Sequence, residues 1–226
     1  MTLTRVRAAI AAAFLVVAMV ASGPASAQSR PASTPGRFDY YVLALSWSPT
    51  YCADPRNAER DQAQCGASRR FAFVVHGLWP QNEVGWPADC PTSAPGPTPA
   101  LTQQMLDIMP SPRLVQHEWR RHGACSGLSA QAYFDLTRKL RASVATPPAF
   151  AAPDRTYLVT AADVRNHFLA ANKRLKADQM AVVCRDGRMQ DVRICLAKDG
   201  TPRTCGRDVR DRCEGQARMP PARPGR

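Results

Sequence analysis

The spacing of apolar residues along the chain predicts four strands. Residues 38–47 are rich in aromatic and branched side chains and lack Gly and Pro, which is typical of a strand. Residues 70–76 (RFAFVVH) are apolar on both faces, as in a central strand, and end before Gly77. Residues 180–184 and 189–196 form two more strands, joined by a hairpin with Asp-Gly at its turn.

Between these strands, caps and apolar stripes predict four helices. Ser111 caps one that has Pro112 at its first position, and Ser129 caps the next. Thr160 and Asp163 form a capping box for the last. Helices and strands without regular β-α-β alternation indicate an α+β domain with an antiparallel sheet. The predicted helices span 101–108, 112–122, 130–144 and 161–175.

The first 27 residues have the features of an export signal peptide. Arg5 and Arg7 precede an unbroken apolar run of 14 residues, and residues 25–27 (Ala-Ser-Ala) resemble a cleavage site. A retained membrane anchor is the alternative, but a spanning helix needs about 20 apolar residues. We therefore expect a soluble protein, exported to the periplasm or the medium, with no membrane contact after cleavage.

Removal of the first 27 of 226 residues leaves 199, enough for one domain with a substantial core. We expect a flexible leader over residues 28–37, one folded domain over 38–214 and a mobile, basic Pro/Arg-rich tail over 215–226. Loss of Arg5 and Arg7 lowers the formal charge from +12 to +10. Such a charge favours polyanions, but it does not separate nucleic acid from anionic lipid or an acidic cell-wall polymer.

All eight cysteines lie after the predicted signal peptide. An even number in an exported chain indicates disulfide bonds, and no C-x-x-C pair suggests a zinc ribbon or a redox site. Eight cysteines allow 105 pairings, and their spacing does not choose among them.

Three of the four histidines lie in two dense clusters, HGLWP at residues 76–80 and HEWRRHGAC at 117–125. The second cluster invites comparison with H-E-x-x-H zinc sites, whose histidines are four residues apart. His117 and His122 are five apart, about 140° around a helix, so they do not chelate one ion. Glu118 lies four residues before His122 and three before Arg121, which predicts contacts among these side chains.

Two imidazoles and a cation suit the cleavage of RNA by its own 2′-hydroxyl. The nucleophile is already tethered beside the phosphorus, so the enzyme supplies only a base, an acid and positive charge. With an ordinary pKa of about 6.5, one imidazole can be neutral while another is charged. This chemistry needs no metal ion and no other cofactor.

With these two segments the sequence closely resembles the ribonuclease T2 family of acid ribonucleases. Residues 73–80 (FVVHGLWP) and 117–125 match the two catalytic segments of that family, and residues 43–52 (LALSWSPTYC) are similar to its opening strand. The resemblance covers about residues 40–213. It implies a central antiparallel sheet flanked by helices, in a disulfide-linked endoribonuclease that acts on RNA and that we expect to be monomeric.

The resemblance also implies a role for each matching residue. His122 would be the base that activates the 2′-hydroxyl, and His76 the acid that protonates the departing 5′-oxygen. His117 would bind the phosphate or hold the 2′-hydroxyl region, while Glu118 and Arg121 would stabilise the charged phosphoryl group. The pocket for the base would be lined by Trp79, Gln81 and Trp86. The implied disulfides are Cys90–Cys125, Cys184–Cys213, Cys195–Cys205 and Cys52–Cys65.

Two departures from the family pattern bear on this assignment. The family usually has Lys where Arg121 stands, which keeps the charge and changes its shape and reach. It often has an acidic residue where Gln81 stands, so base preference stays open, and Gln81 has a purely structural alternative as a turn residue. Trp79 is suited equally to stacking on a base and to packing. We expect Trp119 to be a core residue and His167 to be incidental.

Two alternatives of other classes stay open. The first is a catalytically silent RNA-binding or signalling member of the same fold, against which the presence of the three clustered histidines argues. The second is a secreted effector or toxin directed at a particular RNA, which would use the same site.

Overall fold

A mostly antiparallel sheet organises the computed structural model, which describes residues 33–66 and 71–222. In this part of the chain the sheet has six strands in the order β2-β1-β5-β6-β3, and β4 also pairs with β5. Within the sheet, β5 is central, since Val192 pairs with Leu45 of β1 and with Val182 of β4. The strands are β1 (Tyr40–Trp47), β2 (Phe73–Gln81), β3 (Tyr157–Val159), β4 (Met180–Arg185), β5 (Arg188–Leu196) and β6 (Ala217–Met219).

Helices flank the sheet, which confirms the predicted α+β class. The side chains of Ser111 and Ser129 accept hydrogen bonds from the amides of Leu114 and Ala132, and Thr160 forms its capping box, as predicted. The described helices are α1 (Ser48–Cys52), α2 (Pro55–Arg60), α3 (Gln62–Cys65), α4 (Pro99–Met105), α5 (Pro112–Arg121), α6 (Ala130–Ala142) and α7 (Ala161–Ala171), with 3₁₀ turns at Gly123–Ser126, Pro148–Phe150 and Ala177–Gln179.

The two faces of the sheet differ in what they bury. Leu43 and Leu45 of β1 lie in the main hydrophobic core, together with residues of α4 to α7. Tyr40 and Val42 face the other way, into a small apolar cluster against which Trp79 packs. Because side chains alternate along a strand, Ser46 shares this second face. It is this second face that carries the polar residues described below.

The strand predicted at 70–76 is longer and lies elsewhere in the sheet than expected. It runs on to Gln81, because β1 continues to pair with it as far as Tyr40. The sheet order places β2 at an edge, not in the centre. An edge tolerates Pro80, which has no amide hydrogen to donate. The strand is nevertheless buried, and the amide of Val75 donates to the carbonyl of Ile108 in the segment after α4.

Residues 48–65 form three short helices that the sequence patterns did not predict. Pro49 and Pro55 stand in the first turns of α1 and α2, where a proline is tolerated. Each helix is too short to show an apolar stripe, which is the signal that sequence analysis uses. The last predicted helix is also shorter than expected and ends at Ala171.

The expectation of a mobile C-terminal tail is wrong for its described part. Residues 217–219 are strand β6, which pairs with β3, and Met219 is fully buried. The carbonyl of Pro220 accepts a hydrogen bond from the indole of Trp47. Three residues, Ala217, Met219 and Ala222, supply apolar surface among the prolines and arginines, and burying that surface favours an ordered segment.

The leader was expected to be flexible, but its described part is held against the domain. The amide of Gly36 donates to the carbonyl of Cys125, and Ser33 accepts from the amide of Ala88. The predicted signal peptide and the start of the leader lie outside the described residues.

Four disulfide bonds join Cys52–Cys65, Cys90–Cys125, Cys184–Cys213 and Cys195–Cys205. These are the pairs that the resemblance implies. None of the helices in residues 33–66 and 71–222 is long and apolar enough to cross a membrane.

Candidate active site

A break in the pairing of β1 with β2 places His76. Ala44 pairs with Gly77 and Leu45 pairs with Val75, so His76 is an extra residue without a partner in β1. Such a β-bulge redirects a side chain and is frequent beside active sites. The His76 ring lies beside Ser46, on the second face of the sheet, and 38% of its side chain is exposed.

Two residues of neighbouring strands contact one edge of this ring. The Oγ of Ser46 is 3.2 Å from His76 Nδ1 and donates to Asp191 Oδ1 at 2.5 Å. Asp191 Oδ1 is itself 3.8 Å from His76 Nδ1. Burial lowers the pKa of His76, but the neighbouring carboxylates of Asp191 and Glu118 outweigh it, so that the pKa is raised above its ordinary value.

Helix α5 brings the other group of predicted residues to the site, and its end changes their contacts. The helix ends at Arg121, and His122 follows as its C-cap with φ −127° and ψ −48°. Helical spacing therefore does not apply to His122, and the predicted pairing of Glu118 with His122 is wrong. The carboxylate of Glu118 instead accepts from the indole of Trp79 at 2.8 Å and lies 3.7 Å from His76 Nε2.

Glu118 is a buried carboxyl group, with 1% of its side chain exposed. Burial raises the pKa of Glu118 to about 7, although the charge of His76 and the hydrogen bond from Trp79 act in the opposite direction. The absence of a side chain at residue 77 makes room for this arrangement. A Cβ on Gly77 would stand 1.9 Å from Glu118 Oε2 and 2.5 Å from the indole nitrogen of Trp79.

The ring of His122 has the opposite environment to that of His76. Its centroid is 5.3 Å from that of Trp79, and its Nδ1 is buried without a hydrogen-bond partner in the described part of the chain. Burial, followed by the positive charges of His76, Arg121 and His117, lowers the pKa of His122 to about 3. The two histidines that flank Trp79 are therefore shifted in opposite directions.

Arg121 and His117 lie on the exposed side of α5. Arg121 forms an ion pair with Asp89, not with Glu118 as predicted, and its carbonyl also accepts from the amide of Asp89. Asp89 directly precedes Cys90, so the loop after β2 is held to the end of α5 by this ion pair, by the backbone hydrogen bond and by the disulfide to Cys125. Burial and then the charge of Arg120 lower the pKa of His117.

The three residues predicted to bind a base have different surroundings. Trp79 lies between both histidines, with its ring centroid 5.2 Å from that of His76, and the guanidinium of Arg193 stacks over it at 5.1 Å. Gln81 is buried, and its side-chain amide donates to the carbonyl of Gly85. This contact agrees with the alternative in which Gln81 is a structural turn residue. Trp86 is 45% exposed. Trp119 is a core residue, as predicted.

The sequence patterns did not single out Ser46, Asp191 and Arg193. Asp191 is the only acidic residue of β5 and is 7% exposed. An acidic residue in a strand whose residues are mostly apolar was therefore the available signal, since buried charges are rare without partners. Nothing in the sequence shows that its partners would come from β1 and β2.

Beside His76 a cleft of about 740 Å³ opens between the α1–α3 segment and α5. His76 and His117 lie in its wall, together with Tyr51 and the arginines 60, 113 and 120. The arginines give this cleft a positive rim. No group of three or more His, Cys, Asp and Glu side chains in the described ranges is placed to hold a metal ion.

Comparison with known families identifies the family of the chain. The model of the Ribonuclease T2 family matches residues 38–205, which include both histidine clusters. The chain belongs to the ribonuclease T2 family. It is an endoribonuclease, and the resemblance noted in its sequence is confirmed.

Individual relatives agree with this assignment. A ribonuclease of Aeromonas hydrophila is 35% identical over 193 residues, which is 78% of this chain and 80% of that protein. An RNase-related protein from Calystegia sepium shares the fold of this ribonuclease with a TM-score of 0.62 and 21% identity, covering 82% of this chain and 98% of that one. A mutant of RNase MC1 solved in complex with 5′-GMP aligns with a TM-score of 0.59 and 25% identity, over 80% and 98% of the two chains.

Proposed function

We propose that this ribonuclease cleaves RNA by attack of a 2′-hydroxyl on the adjacent phosphodiester, without a metal ion. The products would be a 2′,3′-cyclic phosphate and a free 5′-hydroxyl, and the cyclic phosphate could then be opened to a 3′-phosphate. The observation that carries the proposal is the opposite shift of two imidazoles that flank one indole. A pair of titratable groups whose environments separate their pKa values is the pattern expected of an acid–base pair.

The direction of each shift supports the choice of acid and base. His122, whose pKa is about 3, is neutral over most of the acidic range and can take the proton of the 2′-hydroxyl. His76, whose pKa is raised, is protonated over the same range. As the bond from phosphorus to the 5′-oxygen breaks, the proton on His76 Nε2 passes to that oxygen. The alcohol leaves neutral, and His76 is left neutral as well.

Glu118 supports this reaction as a neutral acid. A carboxylate beside a phosphate would repel it, but with a pKa of about 7 the group is protonated at acidic pH. Its Oε2 already accepts from Trp79, so the Oε1 hydroxyl is the donor that remains for a phosphoryl oxygen. Such a donor in a buried position stabilises charge that develops in the transition state.

Positive charge for the phosphate comes from the exposed side of α5. We propose that Arg121 and His117 bind non-bridging phosphate oxygens. Arg121 would then exchange Asp89 for the phosphate, which its exposure of 42% permits. A bidentate guanidinium suits this role.

Recognition of the base is proposed to be weak. Trp79 is held by Glu118, Arg193 and both histidines, so it offers at most part of one face for stacking. Gln81 is turned toward its own loop, whereas Trp86 is free to stack on a base at the surface. Stacking is tolerant of sequence, which favours low base specificity.

The setting of the enzyme is proposed to be the periplasm or the medium, where it would act as a monomer on RNA. Its four disulfides support an oxidising compartment, since such bonds are rare in the cytosol.

The test compares three substrates in excess EDTA: RNA, DNA of the same sequence, and DNA with a single ribonucleotide. We expect cleavage of RNA, cleavage of the third substrate only after the ribonucleotide, and none of the DNA. A 2′,3′-cyclic phosphate should be detected by ³¹P NMR. Loss of activity in EDTA or cleavage of the DNA would overturn the mechanism, and inactivity of a folded protein toward all three would support the catalytically silent alternative.

A further inference from the structure

The edge of His76 that faces away from Glu118 is held by a pair of residues with no part in the reaction described above. Ser46 of β1 and Asp191 of β5 are directly opposite each other in the antiparallel ladder, so their side chains share one face of the sheet. That face is the one to which the bulge turns the ring of His76. Three adjacent strands thus bring an imidazole, a hydroxyl and a carboxylate together.

The hydrogen bonds among these groups form a directed chain. The hydroxyl of Ser46 donates its hydrogen to Asp191 Oδ1. The lone pairs of Ser46 Oγ are then left to accept a hydrogen bond from His76 Nδ1–H. A proton on Nδ1 leaves Nε2 as the nitrogen that gains and loses the second proton. Nε2 is also the atom nearest Glu118, at 3.7 Å from its Oε1.

The second oxygen of Asp191 is also engaged. Oδ2 lies 3.6 Å from Arg193, whose guanidinium stacks over Trp79. The carboxyl is 7% exposed, and burial acts to raise its pKa. The hydrogen bonds and charges of His76, Ser46 and Arg193 outweigh burial, so the pKa of Asp191 is lowered and the group is charged. A buried carboxylate that stays charged is a lasting source of negative potential beside the ring.

We propose that Ser46 and Asp191 are a positioning pair, which orients His76 through Nδ1 and stabilises its protonated form. The inference rests on the proposed role of His76 as the acid of the reaction. Neither residue touches the reacting atoms, so both act through His76. The arrangement resembles in principle the carboxylate that orients a histidine in other acid–base sites, here with a hydroxyl between the two groups.

Other charged groups also face His76 and bear on its protonation. On the Nε2 side Glu118 favours the cation when it is charged, above its pKa of about 7, while the positive charges of α5 and of its C-cap oppose it. Asp191 acts at Nδ1, to which it is linked through Ser46, whereas Glu118 acts at Nε2. The groups in question are Glu118, His117 and His122, Arg193 of β5, and Arg60, Asp61, Arg113 and Arg120 around the cleft.

The decisive experiment measures the pKa of His76 by NMR titration of its ring in the full-length protein, alongside the pH dependence of kcat/KM on a short RNA. His76→Gln identifies the signal. In Asp191→Asn the pKa of His76 should fall by about 1 unit or more, the usual effect of removing an adjacent opposite charge. The alkaline limb of kcat/KM should move in the same direction, to lower pH. Asp107→Asn is the matched control, since it removes a carboxylate that pairs with Arg138.

Ser46→Ala provides a second and milder variant if Asp191→Asn does not fold. It leaves the carboxylate in place and removes the bridge, so we expect a shift in the same direction and a smaller one. If the pKa of His76 moves no more in either folded variant than in the control, the inference is wrong. The titration does not depend on activity, so it tests this pair even if RNA cleavage itself is not observed.

Discussion

The two sides of the active site impose opposite protonation states on the same kind of side chain. On the sheet side, His76 lies at a bulge between carboxylates of β5 and α5. On the helix side, His122 lies at the end of α5, half-buried and close to the positive charges of His76, Arg121 and His117. A helix C-terminus favours a cation by about 0.3–1 kcal/mol when exposed. One pKa unit corresponds to about 1.4 kcal/mol, so the lowering of the pKa of His122 by its burial and by the neighbouring positive charges is larger than this helix effect.

This difference teaches that the acid and the base are chosen by surroundings and not by residue type. The two imidazoles have different neighbours. Beside His76, adjacent strands place Ser46 and Asp191 side by side, whereas Arg121 and His117 of α5 lie near His122. The ring of Trp79 contacts both imidazoles, and the charge of His76 is itself one of the causes that lower the pKa of His122.

Removing either imidazole should have the largest effect. His76→Ala and His122→Ala should each lower kcat by at least ~10²-fold, the usual scale for a positioned proton transfer. Steady-state kinetics on a short RNA measures the loss, and circular dichroism confirms that each variant is folded. His167→Ala is the matched control and should be near wild type. Full activity in either of the first two variants would contradict the assignment.

The pH profile should report both environments at once. Because His122 must be neutral, kcat/KM should fall as the pH drops through about 3, the pKa of His122. Because His76 must be protonated and Glu118 neutral, kcat/KM should fall again as the pH rises through about 7, the pKa of Glu118, and through the raised pKa of His76. The maximum then lies on the acidic side of neutrality. Measurement of kcat/KM is decisive, since it reports groups of the free enzyme. A single limb, or a maximum at alkaline pH, would contradict the comparison.

Removing the Cys90–Cys125 disulfide, which ties the loop after β2 to the end of α5, should lower activity less than removing either imidazole. The Cys90–Cys125 disulfide closes 35 residues and Cys184–Cys213 closes 29, so their loop entropies differ by only about 0.2 kcal/mol. Replacing either pair by alanine should destabilise the fold by about 2–5 kcal/mol.

The two disulfide variants should differ in activity. Loss of Cys90–Cys125 frees the loop of Asp89 from the end of α5, and acid–base chemistry tolerates little misplacement. The kcat of the variant without Cys90–Cys125 should fall at temperatures where the protein is still folded. Loss of Cys184–Cys213 should lower the melting temperature and leave kcat near wild type. Melting curves and kinetics on both variants measure this, and equal loss of kcat in the two would show that the bridge has no special role in the site.

Local patterns along the chain were enough for the longer elements and for the two catalytic segments, but not for α1, α2, α3, β3 and β6. The caps at Ser111, Ser129 and Thr160 and the Asp-Gly hairpin each depend on residues within a few positions of one another, so the sequence contains the whole interaction. The family of the chain was likewise evident from the segments around His76 and His122. These features are short-range, and short-range features can be identified from sequence alone.

Only the tertiary structure decided how the parts meet. Asp191 contacts Ser46 across a sequence separation of 145 residues, and strand register alone makes them neighbours. The bulge at His76 depends on how β1 pairs, and the turn at His122 removes it from the helical spacing that predicted its contacts. The C-terminal strand exists because the sheet offers it an apolar place to pack. The sequence by itself determined which chemical groups are present, while strand register, burial and neighbouring charges determined which of them carry a proton.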